Sequence, residues 1–387
     1  MAIHTEAYQN LLEQVCSETI GPSAPEVDRS ASFPARSIEA LKQTGLLGAV
    51  SVPAVGGMGL GFAGAAALVR RVAQECGSTA MVLCMHYCGV AVLEAHGPME
   101  VRRAAAAGEH LSTLAFSEEG SRSHFWAPVS TARADGVDVI LDARKSWVTS
   151  ASAATGYVWS SRPLNAEGLS TVWLVPANTP GLAVSGGFDG LGLRGNDSAP
   201  VIARDVRIPA GAMLGEDGKG FDLMMGTVLP WFNLLNSACA VGLMEAAVRR
   251  TAEHAAGVRY AHTGANLAEL PTIRNYLARM RVKTDMARTL LDDTAAALED
   301  GREDTMLRVL ECKAGAGETA NEVLDLAMRV CGGAAYRKDV GVEALLPRRP
   351  RGRRDGPYHG RALRLYRQGG LRDELVLKLW LRKTIRP

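Results

Sequence analysis

A chain of 387 residues, 47% hydrophobic and 22% charged, is long enough for two or three packed units and reads as globular. Its net charge of +2 hides a split: 13 of the 43 basic but only 3 of the 41 acidic residues lie from Pro347 on, so the tail carries +10 and the rest −8. A mildly acidic body excludes a nucleic-acid binder, and the absence of a basic-plus-apolar leader or an apolar run of about 18 residues argues against secretion and membrane spanning.

The first stretch, 1–111, reads as helical. "FPARSIEALKQTGLLG" places Pro34 at a helix start, Ile38 and Leu41 on one face, and Gly45 as a stop. "FAGAAALVRRVAQECGSTAMVLCMHYCGVAVLEAHG" splits at Gly77, Ser78 can cap the second helix, and Gly97 ends it. Within it, Cys84 and Cys88 lie one turn apart while His86 points elsewhere, so "CMHYC" reads as core packing and not as a metal site. Seven cysteines form no tight framework, which fits a reducing, cytoplasmic setting.

The pattern changes over 112–218. "VSTARADGVDVILDARKSWVTSA" alternates and carries Asp135-Gly136, a hairpin signal. "GYVWSSRPLNAEGLSTVWLVPA" is a second strand–turn–strand unit around Asn165–Gly168, and "APVIARDVRIPAGAML" closes the region. Short strands with no helices between them predict an antiparallel sheet or barrel. Helical periodicity returns over 219–346, with Pro230 predicted to kink the first long helix. The fold class is α+β: a helical domain, a central antiparallel β-barrel or sheet, and a C-terminal four-helix bundle, followed by an irregular basic tail over 347–387.

Two stretches of the β region bear on chemistry. "LAFSEEGSRSHF" (114–125) runs a strand into a loop of small hydroxyl residues and glycine, which lets backbone N–H groups approach a heteroaromatic ring or a phosphate. In "KSWVTSA" (145–151), strand alternation puts Trp147 and Thr149 on one face and Val148 on the other. An indole beside a hydroxyl suits a flat ring ligand, although a core Trp with a surface Thr fits the same text.

Together these stretches resemble the acyl-CoA dehydrogenase family of flavoproteins, which reads T-E-P-x-x-G-S-D and then G-x-K-x-W-I-T-N. "GLRGNDSAPV" (191–200), "DVRIP" (205–209), "LGEDGKGF" (214–221), "VCGGAAY" (330–336) and "GVEALL" (341–346) extend the resemblance from about Ser37 to Leu346. It implies FAD. Phe116, Ser117 and nearby backbone would hold the pyrimidine side of the flavin, and Ser123 would touch the pyrophosphate. Trp147 would lie against the ring, and Thr149, with Ser150 beside it, would hydrogen-bond at N5. Arg259 and Thr263 are approximate counterparts of residues that reach a neighbouring subunit's FAD, and Gly332 and Gly333 match the turn at the adenine end, which implies a homodimer or homotetramer. The implied reaction is α,β-dehydrogenation of an acyl thioester on CoA or an acyl carrier protein, with an electron-accepting flavoprotein or oxygen as the second partner. A flavin monooxygenase of the same fold and a catalytically impaired scaffold are the alternatives.

The resemblance also implies a glutamate that removes the α-proton, and neither family position carries one. Pro230-Trp231-Phe232-Asn233 stands where the family has D-x-E-R, and the second position lands near Gly356, beside Asp355. The catalytic base is therefore unassigned; His124, Glu118 and Glu119 are the polar groups close to the flavin segments. From "PRRPRGRR" onward the chain departs from the family. Arginine, proline and glycine with unphased leucines are what GC-rich coding DNA gives out of frame. Allowed codons for 347–373, read one base later, open with R-D-A-R, the text the family places there. The expectation is a single-base shift near Leu346–Pro347. The DNA sequence across that junction decides it: codons that block the alternative reading would contradict it.

Overall fold

The computed structural model describes residues 2–121, 124–188, 192–337, 340–342 and 345, with side chains from Tyr8 on. The tail expected to be irregular, 347–387, lies outside the described residues. In chain order the helices are α1 (Ala2–Val15), α2 (Gly21–Ser30), α3 (Ala35–Gln43), α4 (Phe62–Glu75), α5 (Gly77–His96) and α6 (Met99–Ala106). After the strands come α7 (Gly220–Leu223), α8 (Leu229–Gly257), α9 (Pro271–Asp300) and α10 (Thr305–Cys331). The helix starting after Pro34 and the break near Gly77 hold, although α5 starts at Gly77 itself, one residue ahead of the Ser78 cap expected from sequence.

Two helical segments, Gly77–His96 and Gly220–Gly257, are long and apolar enough to cross a membrane, contrary to the sequence reading. In this fold 78% and 83% of their apolar windows are buried, as in core helices. Pro230 does not break its helix. A π-helical turn, Met224–Val228, directly precedes α8, and such a turn absorbs the hydrogen bond that a proline nitrogen cannot make.

The chain forms two compact units. The first holds Met1–Ala65, Met81–Asp189 and Arg194–Phe232, and so contains every strand among the described residues. The strands are β1 (Ser112–Ala115), β2 (Thr131–Asp135), β3 (Asp138–Val148), β4 (Gly156–Ser161), β5 (Thr171–Pro176), β6 (Leu182–Val184) and β7 (Ala199–Pro209). They make two sheets, ordered β1-β4-β5 and β2-β3-β7-β6. The Asp135-Gly136 signal is a hairpin, with Asp135 paired to Asp138. The expectation of an all-antiparallel region is corrected at one pairing: β1 and β4 run parallel. The β2–β3 hairpin, placed in the other sheet, separates them and supplies the crossover that a parallel pair requires. Between the sheets lies a core of Val139, Leu141, Val148, Trp159, Trp173, Val201 and Ile208. Trp159 and Trp173 are fully buried.

The β4–β5 turn shows how this unit is locked. Asp217 accepts the N–H groups of Leu164, Asn165 and Ala166, each at 2.9 Å, and the Thr171 hydroxyl at 2.5 Å. Burial pushes its carboxyl up, but these donors outweigh burial and hold it down at about 2. Gly168, at φ +145, passes so close to the Gly218 carbonyl that an added Cβ would fall 2.2 Å from that oxygen. We expect Asp217→Ala to cost about 2 kcal/mol, the scale of a lost charge-assisted hydrogen bond. A urea midpoint measured against wild type checks this.

The second unit holds Ala66–Ala80 and the helices from Asn233 onward. α9 and α10 pack as an antiparallel pair, and a buried face of α10 runs through Val309, Ala316, Ala320, Val323, Ala327 and Val330. Gln74 donates to Glu245 at 2.7 Å, and Arg250 donates to the Gly341 carbonyl at 2.9 Å. Of the predicted four-helix bundle, α8, α9 and α10 are its long members among the described residues.

Candidate flavin site

The first unit brings five of the predicted residues together. β1 delivers buried Phe116 and half-buried Ser117 at its C-terminal end. The Ser117 carbonyl accepts the Ser146 N–H at 2.8 Å, which lays the loop along the end of β3. The Thr113 hydroxyl donates to the Thr149 carbonyl at 2.7 Å and fixes the next turn of chain beside β1. Ser150 follows, buried, at φ +56, with its N–H on the Asn196 carbonyl at 2.9 Å.

Simple alternation fails at Trp147, which corrects the sequence reading. Period two puts Lys145, Trp147 and Thr149 on one face, yet Lys145 is fully buried, Thr149 is buried, and Trp147 is 45% exposed. The cause is a bulge. Lys145 pairs with Val201 and Val148 with Ala199, so three steps on β3 oppose two on β7. Trp147 takes up the extra residue at φ +57. Its indole stacks on Phe188 with ring centroids 4.1 Å apart and planes 18° from parallel. A flat ligand on this indole takes the other face or displaces Phe188.

Beneath the two segments lies a feature that sequence reasoning missed. Lys145 Nζ donates to Glu118 Oε1 at 2.5 Å, to the Ser160 carbonyl at 2.6 Å and to Ser160 Oγ at 3.0 Å. Glu118 Oε2 accepts the N–H groups of Val129 (2.6 Å) and Ser130 (3.0 Å). Burial pulls the Lys145 ammonium down to about 8 despite its partner. Burial also pushes the Glu118 carboxyl up, but the Lys145 charge and hydrogen bonds hold it below its ordinary value. With both oxygens engaged, Glu118 is no proton acceptor for a substrate. Glu119 is exposed at the surface, and His124, also exposed, bonds through Nδ1 to the Ser121 carbonyl at 3.1 Å. Ser123 lies outside the described residues.

The other predicted residues belong to the second unit and stand on two separate segments. Arg259 donates to the Gly264 carbonyl at 3.1 Å and, with Thr263, makes an exposed turn after α8. Gly332 caps α10 at φ +55, and Gly332 and Gly333 are open, with nothing within 4 Å of an added Cβ. Asn233, at the family's arginine position, is 2% exposed, and its Oδ1 has no hydrogen-bond partner among the described residues.

Family models for the N-terminal, middle and C-terminal domains of acyl-CoA dehydrogenase match residues 4–107, 113–206 and 218–351. This chain belongs to the acyl-CoA dehydrogenase family. It is thus a member of a family of flavoprotein oxidoreductases that act on CH–CH bonds of acyl-CoA. The human mitochondrial short-chain specific acyl-CoA dehydrogenase is 33% identical over 353 residues, 87% of this chain and 84% of that protein. Butyryl-CoA dehydrogenase from Megasphaera elsdenii has the same fold, with TM-score 0.85 at 20% identity over 99% of this chain and 98% of that one. The FAD complex of PigA also shares it, with TM-score 0.83 at 19% identity over 99% and 97%. The named dehydrogenases do not favour the monooxygenase or scaffold alternative.

The residues present fit a flavin. The Thr149 hydroxyl is buried, and its described side-chain contact, Ser198 Oγ at 3.4 Å, is long for an O–H···O bond, so its donor is free for a ring nitrogen. Beside it Trp147 presents a large aromatic surface to solvent.

Proposed function

We propose that this protein binds FAD through Phe116, Ser117, Trp147, Thr149 and Ser150, with Ser123 at the pyrophosphate, and oxidises a short acyl thioester between Cα and Cβ. CoA is the favoured carrier and an electron-transferring flavoprotein the favoured acceptor, by similarity to the named dehydrogenases. The observation that carries the reading is the pairing of a buried, under-used hydroxyl at 149 with an exposed indole at 147, on two segments tied by the Ser146–Ser117 bond. When bound, FAD supplies a two-electron acceptor for hydride.

The chain's own residues supply a surface, a donor and an enclosure. Trp147 offers a face for stacking, and Thr149 offers its O–H. Phe116 is buried at the end of β1, and Val148, buried in the core between the sheets, anchors the strand behind Trp147. Proton removal falls to a group other than Phe232 or Asn233, since neither a phenyl ring nor an amide accepts a proton at neutral pH.

The dimer or tetramer reading gains support from Val282 and Met286, one turn apart on α9 and 58% and 67% exposed. Arg259, Thr263, Gly332 and Gly333 would then meet the FAD of a neighbouring copy. Seven buried cysteines, none of them in a disulfide, suit the cytoplasm.

Titration of the purified protein with FAD, followed by flavin fluorescence, tests the reading. Saturable binding is expected, and Trp147→Ala should weaken it roughly tenfold, the scale of one lost aromatic stack. Affinity unchanged in Trp147→Ala would remove the indole from the site.

A further inference from the structure

The Lys145–Glu118 pair is unusual in its completeness. The ammonium's three donors are consumed by Glu118 and the two oxygens of Ser160, and both carboxylate oxygens are taken. The Ser130 hydroxyl closes the network by donating to the Ser160 carbonyl at 3.1 Å. The Trp159 ring centroid lies 5.1 Å from Nζ. The side chains of the pair are 0% and 1% exposed. A buried ion pair rarely stabilises a fold more than apolar side chains of the same volume would. Its benefit is sought in what it fixes.

It fixes the roots of both flavin segments. Glu118 directly follows Ser117, and Lys145 stands two residues before Trp147. The two residues also form an isolated antiparallel bridge, and the Ser146 N–H bonds the Ser117 carbonyl across it. Lys145 must point inward to reach Glu118. The bulge that follows, with its left-handed Trp147, is what turns the indole outward instead of inward with Lys145. Burial of Val148 and the Thr113–Thr149 bond hold the far side of the bulge. Trp147 is therefore strained between two anchors, one of which is the ion pair.

We propose that Lys145 and Glu118 are positioning residues for the flavin: their contact sets the spacing between the Ser117 loop and the outward-turned Trp147. The proposal rests on the flavin reading above and deepens it. Neither residue need touch FAD.

The test is the FAD dissociation constant of wild type and of the double variant Lys145→Met/Glu118→Gln, each with its urea midpoint. The glutamine keeps an acceptor for Val129 and Ser130, and no unpaired charge remains. The expected result is a double variant that recovers most of the stability either single variant loses, yet binds FAD at least tenfold more weakly. A double variant that binds FAD as wild type does would overturn the proposal and leave the flavin reading intact. Wild type that does not bind FAD would sink both. Should the double variant fail to fold, Ser160→Ala, which removes one acceptor from Nζ and keeps the charges paired, is titrated instead. A weakening of about threefold supports the proposal and unchanged affinity overturns it.

Discussion

Lys145→Met is expected to lower the stability of the strand-bearing unit by about 3–5 kcal/mol at pH 7, the cost of leaving one member of a buried ion pair alone. The loss should depend on pH in a direction set by which charge remains. In Lys145→Met the buried Glu118 loses the partner that holds its carboxyl down, and burial then raises it. A carboxyl raised above its unfolded value stabilises below that value, and the contribution is lost as pH rises through the folded value. The variant should therefore be less impaired near pH 5 than at pH 7. Glu118→Gln leaves Lys145 without the charge that supports it, so its ammonium falls further below about 8. A depressed lysine stabilises fully above its unfolded value and loses that contribution as pH falls, so this variant should be less impaired near pH 9 than at pH 6. Urea midpoints across this range, with opposite slopes for the two variants, check the assignment; parallel slopes would show that the two groups do not share a charge pair.

Acidification is the second large effect. His86 is fully buried in α5, where its Nδ1 accepts the Ser112 N–H at 3.1 Å and its Nε2 lies 3.0 Å from the Leu47 carbonyl. Burial first, and the nearby His110 second, lower it to about 3. His110 contacts the Thr155 hydroxyl at 3.1 Å, has no partner for Nε2 among the described residues, and is lowered by burial to about 4. Both are neutral in the fold and take up a proton near pH 6.5 when unfolded. Their stabilisation is complete above pH 6.5 and declines as pH falls toward 4 and 3. Each histidine gives up about 1.4 kcal/mol per pH unit within its window. Between pH 7 and pH 5 the wild-type chain should lose about 2 kcal/mol more than His110→Gln, read as the difference in urea midpoints. Equal losses would mean that His110 is charged in the fold.

The helix–sheet–helix order was legible because period and punctuation carry it: Pro34, Gly77, Gly97 and the Asp135-Gly136 turn each end or start an element where the text says they should. The two flavin segments were legible as motifs. What alternation could not reveal is the bulge, because it depends on the β3–β7 register, a pairing about 50 residues apart in sequence. For the same reason alternation alone puts Trp147 on the face of Thr149, and the parallel β1–β4 pairing leaves no local signal in the text. Glu118 could be read only as a polar group near the flavin. A lysine two residues before an aromatic on a strand was the one hint that a buried carboxylate must answer it, since a buried ammonium demands a partner. The absence of a glutamate at Phe232 was plain in the text. A replacement base was not, because such a group is defined by spatial approach and not by spacing.

The most direct test of the flavin-dependent oxidoreductase account is anaerobic mixing of the FAD-loaded protein with butyryl-CoA while the visible flavin absorbance is recorded. The account predicts bleaching without any added reductant, abolished in a protein freed of FAD. A flavin that is tightly bound yet stays fully oxidised against butyryl-CoA and its shorter and longer acyl homologues would contradict it.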